Sequence, residues 1–168
     1  LSSYKGVRVT LNSVMLKIIA TAIKHSPEMN AHIHYNKHSS VGRVSLEEDV
    51  NIATPMRSPD GRMVTPVLKQ ADKKSLREVC LGMEDIKRRV RNTDVDCLLL
   101  EAGLNDTWER LRYGQFGLVL RRLYANFIGP SRLKRPSRER KRAYQALTEA
   151  DRITPADLLS GTTLVSNI

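Results

Sequence analysis

Acid–base, nucleophilic and metal chemistry require histidine, cysteine or carboxylate side chains brought together, and this sequence offers few in usable patterns. His25, His32, His34 and His38 all fall in the first quarter of the chain. His32 and His34 alternate, so a strand would project both to one face, where two imidazoles could begin a metal site. Zinc needs three or four ligands, and no neighbouring cysteine or carboxylate pattern completes the set. The expected reading is therefore surface or half-buried histidines, with no metal. Cys80 and Cys97 sit in helical patterns without metal-type spacing, which predicts buried or partly buried free thiols in a reducing compartment. No Walker-type phosphate loop and no G-x-G-x-x-G turn is present. A G-x-S-x-G nucleophile elbow is missing too.

Charge is the second chemical feature. The chain of 168 residues carries a net charge of +10. Most of it lies in one segment holding Arg121, Arg122, Arg132, Lys134, Arg135, Arg138, Arg140, Lys141 and Arg142 against a single acid, Glu139. The rest of the chain is nearly neutral. A block of this kind suits an anionic partner, whether an acidic protein, a membrane surface or a nucleic acid, or else it is a solvated helix face. Nucleic acid is the least favoured, because no recognition motif accompanies the charge. The hydrophobic fraction of 40% and charged fraction of 27% are those of a globular protein. The richest apolar run, Val14 to Ile23, is short and broken by Lys17, so no membrane span is expected.

The elements that would position these groups are legible from periodicity. Thr10 to Ser13, followed by Leu16, Ile18, Ile19, Ala22 and Ile23, predicts a capped amphipathic helix over 12–26 that Pro27 stops. Strand-like stretches follow at 31–35, 42–46 and 50–56. Asp60-Gly61 predicts a tight turn joining 50–56 to 63–68, with Pro66 forcing an irregular or edge position. Leu76, Val79, Cys80, Met83, Ile86 and Val90 recur every three or four residues, predicting a helix over 72–91. Helical patterns continue at 94–112, 115–128 and 137–150, and Pro155 opens a short helical turn. The sequence closes on Gly161 to Ile168, a β-prone stretch with no turn residue after it. That ending, with Leu1 at the start, leads us to expect a piece of a longer protein.

Several blocks, in order, are similar to one family. Thr10-Leu11-Asn12 through Ala22-Ile23, and then Pro27-Glu28-Met29-Asn30-Ala31, resemble its first long helix and the start of the next strand. Val50-Asn51-Ile52-Ala53-Thr54-Pro55, Asp60-Gly61, Val64-Thr65-Pro66-Val67 and Ala71-Asp72-Lys73-Lys74-Ser75-Leu76 resemble its hairpin and following helix. Ala156-Asp157-Leu158-Leu159-Ser160-Gly161-Thr162-Thr163-Leu164-Val165-Ser166-Asn167-Ile168 resembles its G-G-T-F-T-I-S-N-L-G strand. The family is the catalytic domain of the dihydrolipoamide acyltransferases, the core subunits of 2-oxoacid dehydrogenase complexes. The resemblance covers residues 7–93 and 151–168.

It implies an α+β fold, a two-layer mixed sheet covered by helices, of the coenzyme-A-dependent (chloramphenicol acetyltransferase-like) type. It also implies acyl transfer between coenzyme A and a lipoyl group on a partner domain, or another thiol or small-molecule acceptor. The site would lie between subunits of a trimer-based homo-oligomer in the cytoplasm. By the same resemblance the Ser166 hydroxyl would hydrogen-bond the oxyanion of the tetrahedral intermediate. The family's general base is a histidine in an H-x-x-x-D-G motif. None of the four histidines here has that context, so the base is expected beyond Ile168 and this segment alone is expected to be inactive. Where the family has a short linker, residues 94–150 are expected to form an inserted helical module, dividing the chain into 1–93, 94–150 and 151–168. The insert holds the basic block and the aromatics Trp108, Tyr113, Phe116, Tyr124 and Phe127. The competing expectation is a non-catalytic scaffold of the same fold whose basic insert recruits an anionic partner.

Overall fold

The computed structural model describes residues 3–4, 6–36, 41–112 and 136–166. Two short strands, β1 (Ser3–Tyr4) and β2 (Val7–Arg8), pair antiparallel and lead into helix α1 (Leu11–His25). Thr10 caps α1: its extended backbone lets the side-chain oxygen accept the Ser13 N–H at 3.2 Å. Ser13, Leu16, Ala20 and Ile23, spaced three or four apart, form the buried stripe. Pro27 then ends the helix in a single 3-10 turn, Pro27–Met29.

Next comes an antiparallel hairpin of β3 (Ala31–Asn36) and β4 (Val41–Leu46). Buried Asn30 ties its base, donating from Nδ2 to the Glu47 and Asp49 carbonyls at 2.8 and 3.0 Å. The hairpin expected over 50–68 also forms, but as two separate ladders. β5 (Ile52–Ala53) pairs with β8 (Val67–Leu68), and β6 (Met56–Arg57) pairs with β7 (Met63–Val64). Thr54-Pro55 and Thr65-Pro66 lie opposite one another in the gap, and neither proline can donate a ladder bond. The Pro66 carbonyl still accepts from the Thr54 N–H at 3.0 Å. Gly61 closes the turn at φ +85°, the left-handed region the Asp60-Gly61 signal required.

Helix α2 (Leu76–Asn92) starts with its first periodic apolar residue, later than the expected residue 72. Ser75 and Glu78 form a reciprocal capping box, which fixes the start at Leu76 and leaves residues 71–74 in a turn. Helices α3 (Val95–Arg112) and α4 (Arg138–Ala146) follow, then a 3-10 turn (Pro155–Asp157) and β9 (Thr163–Leu164). α4 stops at Ala146, short of the expected Ala150. The helix expected over 115–128 lies outside the described residues, as do His38, Asn167 and Ile168.

β9 pairs parallel with β5, giving a three-stranded mixed sheet in the order β8-β5-β9. The last strand is thus seated in a sheet, at its edge, and its ladder is shorter than the stretch 162–168 suggests. The fold is mixed α+β, with small sheets and packed helices. Leu16 and Ile23 from α1, Ile52, Leu68, and Val79, Met83 and Ile86 from α2 share one core with Val95, Leu98, Tyr144 and Ile153. Burying each large aliphatic side chain contributes about 1.5–3 kcal/mol. Among the described residues no helix is long and apolar enough to cross a membrane.

The seat of β9 depends on Gly161. A Cβ there would stand 3.2 Å from the Ala53 Cβ and 3.3 Å from Val67 Cγ2, so any side chain pushes the incoming segment off the sheet. Gly161→Val should destabilise the protein by about 1–3 kcal/mol, the usual cost of overpacking. It should also raise amide exchange at Thr162, Thr163 and Val165, all of which donate to β5 carbonyls or the adjoining Asn51 carbonyl. Unchanged exchange at those amides would refute this account of the seat.

Candidate active site

Ser166 leaves the end of β9 exposed to solvent, one residue beyond Val165, whose N–H donates to the Ala53 carbonyl at 2.9 Å. Its position is therefore set by the β5–β9 pairing. Asn51, the residue before β5, holds that pairing from both sides. Its N–H donates to Thr162 Oγ1 at 3.1 Å, and its carbonyl accepts the Thr162 N–H at 2.8 Å. Its side-chain Oδ1 accepts the Gln70 N–H at 2.9 Å, on the side of β8. A short polar side chain in the middle of a β-prone run is disfavoured for the strand itself, and here it is used to join three segments.

Asp72 anchors the same region from beneath. Its carboxylate is almost fully buried, with Oδ1 accepting the Val50 N–H at 3.2 Å. Lys24 Nζ stands 4.0 Å from Oδ2, and Lys17 Nζ donates to the Asp72 carbonyl at 2.9 Å. The Ala71-Asp72 step thereby fastens α1 to the start of β5.

The segment before β9 is clamped to the basic end of α2. Arg89 grips Asp157 with both terminal nitrogens and donates from Nε to the Arg152 carbonyl at 3.0 Å. Arg88 reaches Asp151 Oδ1 at 2.5 Å and Asp85 Oδ1 at 2.8 Å. The Ile153 N–H donates to Thr93 Oγ1 at 2.8 Å, while the Thr93 hydroxyl donates back to the Arg89 carbonyl at 2.7 Å. Burial raises the Asp157 pKa, but hydrogen bonds from the Thr154 N–H and hydroxyl, with Arg89, outweigh it and hold the carboxyl below its ordinary value. Arg89, in the last turn of α2, also suits the negative end of the helix dipole.

Among the described residues the histidines form no common site. His25 is exposed at the end of α1. The His32 and His34 rings share the expected face of β3 at 6.4 Å between centroids, the first half-buried and the second exposed. Among the described residues no group of three histidine, cysteine or carboxylate side chains could hold a metal ion. Cys80 and Cys97 are buried and free. Burial first, then Asp94, pushes the Cys97 thiol up to about 11, so it is protonated at neutral pH.

The described part of the basic block is heterogeneous. Arg140 binds Asp94 at 2.7 Å and reaches the buried Asp96 at 3.3 Å, and Arg62 from the turn after β6 binds the same Asp96 at 2.6 Å. Arg140 is a structural cation, not one available to a partner. Arg138, Lys141 and Arg142 are exposed without an ion pair among the described residues. Arg121 to Arg135 and the aromatics Tyr113, Phe116, Tyr124 and Phe127 lie outside the described residues.

Sequence reasoning singled out Ser166 by resemblance alone and missed the residues that hold its segment in place. Asn51 could have been flagged as a polar residue inside a strand pattern. Asp157 could have been flagged as the third residue after Thr154, the spacing of a capping box, which the structure contains. The partnership of Arg89 with Asp157 has no local signal.

Comparison with known proteins adds an independent line. A family model described as "2-oxoacid dehydrogenases acyltransferase (catalytic domain)" matches residues 2–97. The dihydrolipoyllysine-residue acetyltransferase component of the pyruvate dehydrogenase complex of Zymomonas mobilis is 28% identical over 87 residues, covering 52% of this chain and 18% of that protein. Its counterpart in Cupriavidus necator is 30% identical over 87 residues, covering 52% of this chain and 14% of that protein. The lipoamide acyltransferase component of the branched-chain complex of Bacillus subtilis is 25% identical over 115 residues, covering 68% of this chain and 25% of its own length. The chain therefore spans a quarter or less of these relatives. Among solved structures, the cubic core of the pyruvate dehydrogenase multienzyme complex aligns with a TM-score of 0.44 at 26% identity, covering 51% of this chain and 33% of that one.

The clamp makes a pH prediction. A carboxyl whose pKa is depressed on folding contributes stability that is present above its unfolded pKa, about 3.9, and is lost as pH falls through the folded value. Asp157 and Asp151 are both depressed. Acidification below about pH 4 should therefore loosen residues 149–157 from α2. Asp157→Asn should destabilise the protein by about 1–3 kcal/mol at pH 7 and flatten the acid limb of the stability curve. Thermal unfolding midpoints between pH 3 and pH 7 would check this, and an unchanged acid limb would exclude the clamp as its source.

Proposed function

The chain belongs to the 2-oxoacid dehydrogenase acyltransferase family, and from that premise we propose that it forms part of a catalytic domain transferring an acyl group between coenzyme A and a lipoyl group or another thiol. The observation that carries the reading joins family and geometry. The segment bearing Ser166, outside the matched residues 2–97, is hydrogen-bonded to Asn51 and Ala53 within them. In this reading the Ser166 hydroxyl donates to the oxyanion as the thiol attacks the acyl carbonyl. A donor aimed where charge develops lowers the barrier far more than it aids ground-state binding. The general base comes from outside residues 1–168, since no histidine here stands in an H-x-x-x-D-G sequence. The fold assigned to the complete domain is the coenzyme-A-dependent acyltransferase type. Its working unit is a trimer in the cytoplasm, with the exposed Ser166 facing a channel that a neighbouring subunit helps to wall.

Residues 94–150 are assigned to an inserted module. The support is that its two ends meet: Asn92 Nδ2 donates to the Asp151 carbonyl at 3.2 Å, beside the Thr93–Ile153 bond. The module is rooted in the shared core through Val95, Leu98 and Tyr144 rather than tethered to it. Its exposed cations are assigned to an anionic partner.

In the complete protein, Ser166→Ala should lower kcat about a hundredfold or more, with KM little changed, because the hydrogen bond is made chiefly in the transition state. Chromatographic measurement of the free coenzyme A formed from acyl-coenzyme A and dihydrolipoamide gives both. Equal effects on kcat and KM would remove Ser166 from the oxyanion role. Residues 1–168 alone should turn over at background rate.

Binding through the basic block should weaken steeply between low salt and 0.5 M salt, well beyond the range at which screening reaches about 10 Å. Replacing Arg138, Lys141 and Arg142 by Gln should remove it without lowering the unfolding midpoint, whereas Arg140→Gln should lower that midpoint by removing the cation that pairs with both Asp94 and Asp96. Salt-independent binding to vesicles, nucleic acid and acidic proteins alike would leave the block a solvated face.

A further inference from the structure

β2, the start of α1 and one face of α2 border a groove of about 360 Å³. Its floor includes buried Cys80 and Met83. Its walls carry Arg8 from β2 and Lys87, Arg88 and Arg91 from α2, opposed by one acid, Glu84. Arg88 is committed to Asp85 and Asp151. Arg8, Lys87 and Arg91 are exposed and make no ion pair or side-chain hydrogen bond among the described residues. That contrasts with Arg62, Arg88, Arg89, Arg140 and Arg152, each of which is matched to a carboxylate.

Three unmatched cations from two separate elements, facing one concavity, focus a positive potential that convex surface cations do not. The groove reaches the start of α1 at Thr10, and the first turn of that helix carries no acid to neutralise its positive end. We propose that this groove binds the phosphate groups of a small molecule, a phosphomonoester or a diphosphate. The volume suits a small ligand rather than a protein segment. Arginine forks match phosphate oxygens two at a time, and lysine adds a point charge. The groove involves neither Ser166 nor β9, and of its two ligand sources only coenzyme A rests on the acyl-transfer reading.

Two sources share this chemistry, free phosphates and the phosphates of a nucleotide-bearing carrier such as coenzyme A, and titration separates them. Inorganic pyrophosphate and coenzyme A would each be titrated calorimetrically into the purified protein, with ionic strength held constant by sodium chloride. Saturable pyrophosphate binding is expected. Lys87→Gln with Arg91→Gln should weaken it about tenfold or more, as should Arg8→Gln, since each removes charge-assisted hydrogen bonds. Lys87→Arg should retain it. Lys69→Gln, an exposed cation outside the groove, should leave it unchanged. Competition between pyrophosphate and coenzyme A supports the site and names the carrier as its source, and pyrophosphate binding without competition supports it with a free phosphate. No saturable pyrophosphate binding, or binding equal in the parent and the groove variants, overturns the proposal. Because the readout is binding, failure here and failure of the acyltransferase reading are separable.

Discussion

The fold turns on one long-range join, the parallel pairing of residues 51–53 with 162–165. Parallel strands cannot be linked by a tight turn, and here more than a hundred residues intervene between the partners. The entropy of closing so long a loop grows only logarithmically with its length, so the join needs strong local fastening rather than a short connection. Asn51 supplies it by using its N–H, its carbonyl and its side-chain oxygen on two neighbours at once. Close approach completes it, because a residue without a Cβ sits against Ala53 and Val67.

A join between short strands would be marginal without support from the connecting chain. Helix α2 provides that support, running from the β8 side of the sheet to the segment that feeds β9. Its apolar face is sunk in the core through Val79, Met83, Ile86 and Val90, while Arg88 and Arg89 at its far end hold residues 149–157. The Arg89–Asp157 pair is partly buried and bidentate, which makes it worth more than exposed ion pairs such as Arg88–Asp151, which contribute under about 1 kcal/mol. The chain can therefore depart at Asn92, pass through fifty-odd residues, and return to the same place without loosening β9. An excursion whose ends are hydrogen-bonded to one another adds little strain to the fold it leaves.

The boundary between what the residues reveal and what only folding reveals follows range of interaction. Helices α1 and α2 were legible because apolar spacing and capping residues act within a few positions. The Asp60-Gly61 turn was legible because glycine alone accepts its backbone angles readily. The break in the 50–68 hairpin was half legible: Pro66 announced an irregularity, yet the matching gap at Pro55 emerges only once the two strands are in register. The start of α2 was placed one turn before its first periodic apolar residue, Leu76, at Asp72, whose carboxylate is instead drawn inward by the Val50 N–H. Ser166 could be singled out by family resemblance alone, since a strand serine has no distinguishing local pattern. Arg89 with Asp157, and Arg62 with Asp96 and Arg140, join parts of the chain that no periodicity connects.

That last cluster changes how a run of positive charge should be understood. Counted along the sequence, Arg138 to Arg142 looks like a uniform basic surface. In space, a buried carboxylate at Asp96 requires compensation, because an unpaired charge with so little solvent contact is costly. Arg62 and Arg140 supply it, one at each carboxylate oxygen, and Asp94 holds Arg140 in place. The pairing fastens α4 to the turn after β6, so the described part of residues 94–150, which the sequence suggests is separable, is electrostatically bonded to residues 1–93. A residue's neighbours in sequence thus determine the charge of the block, whereas its neighbours in space determine which of those charges remain free to bind anything else.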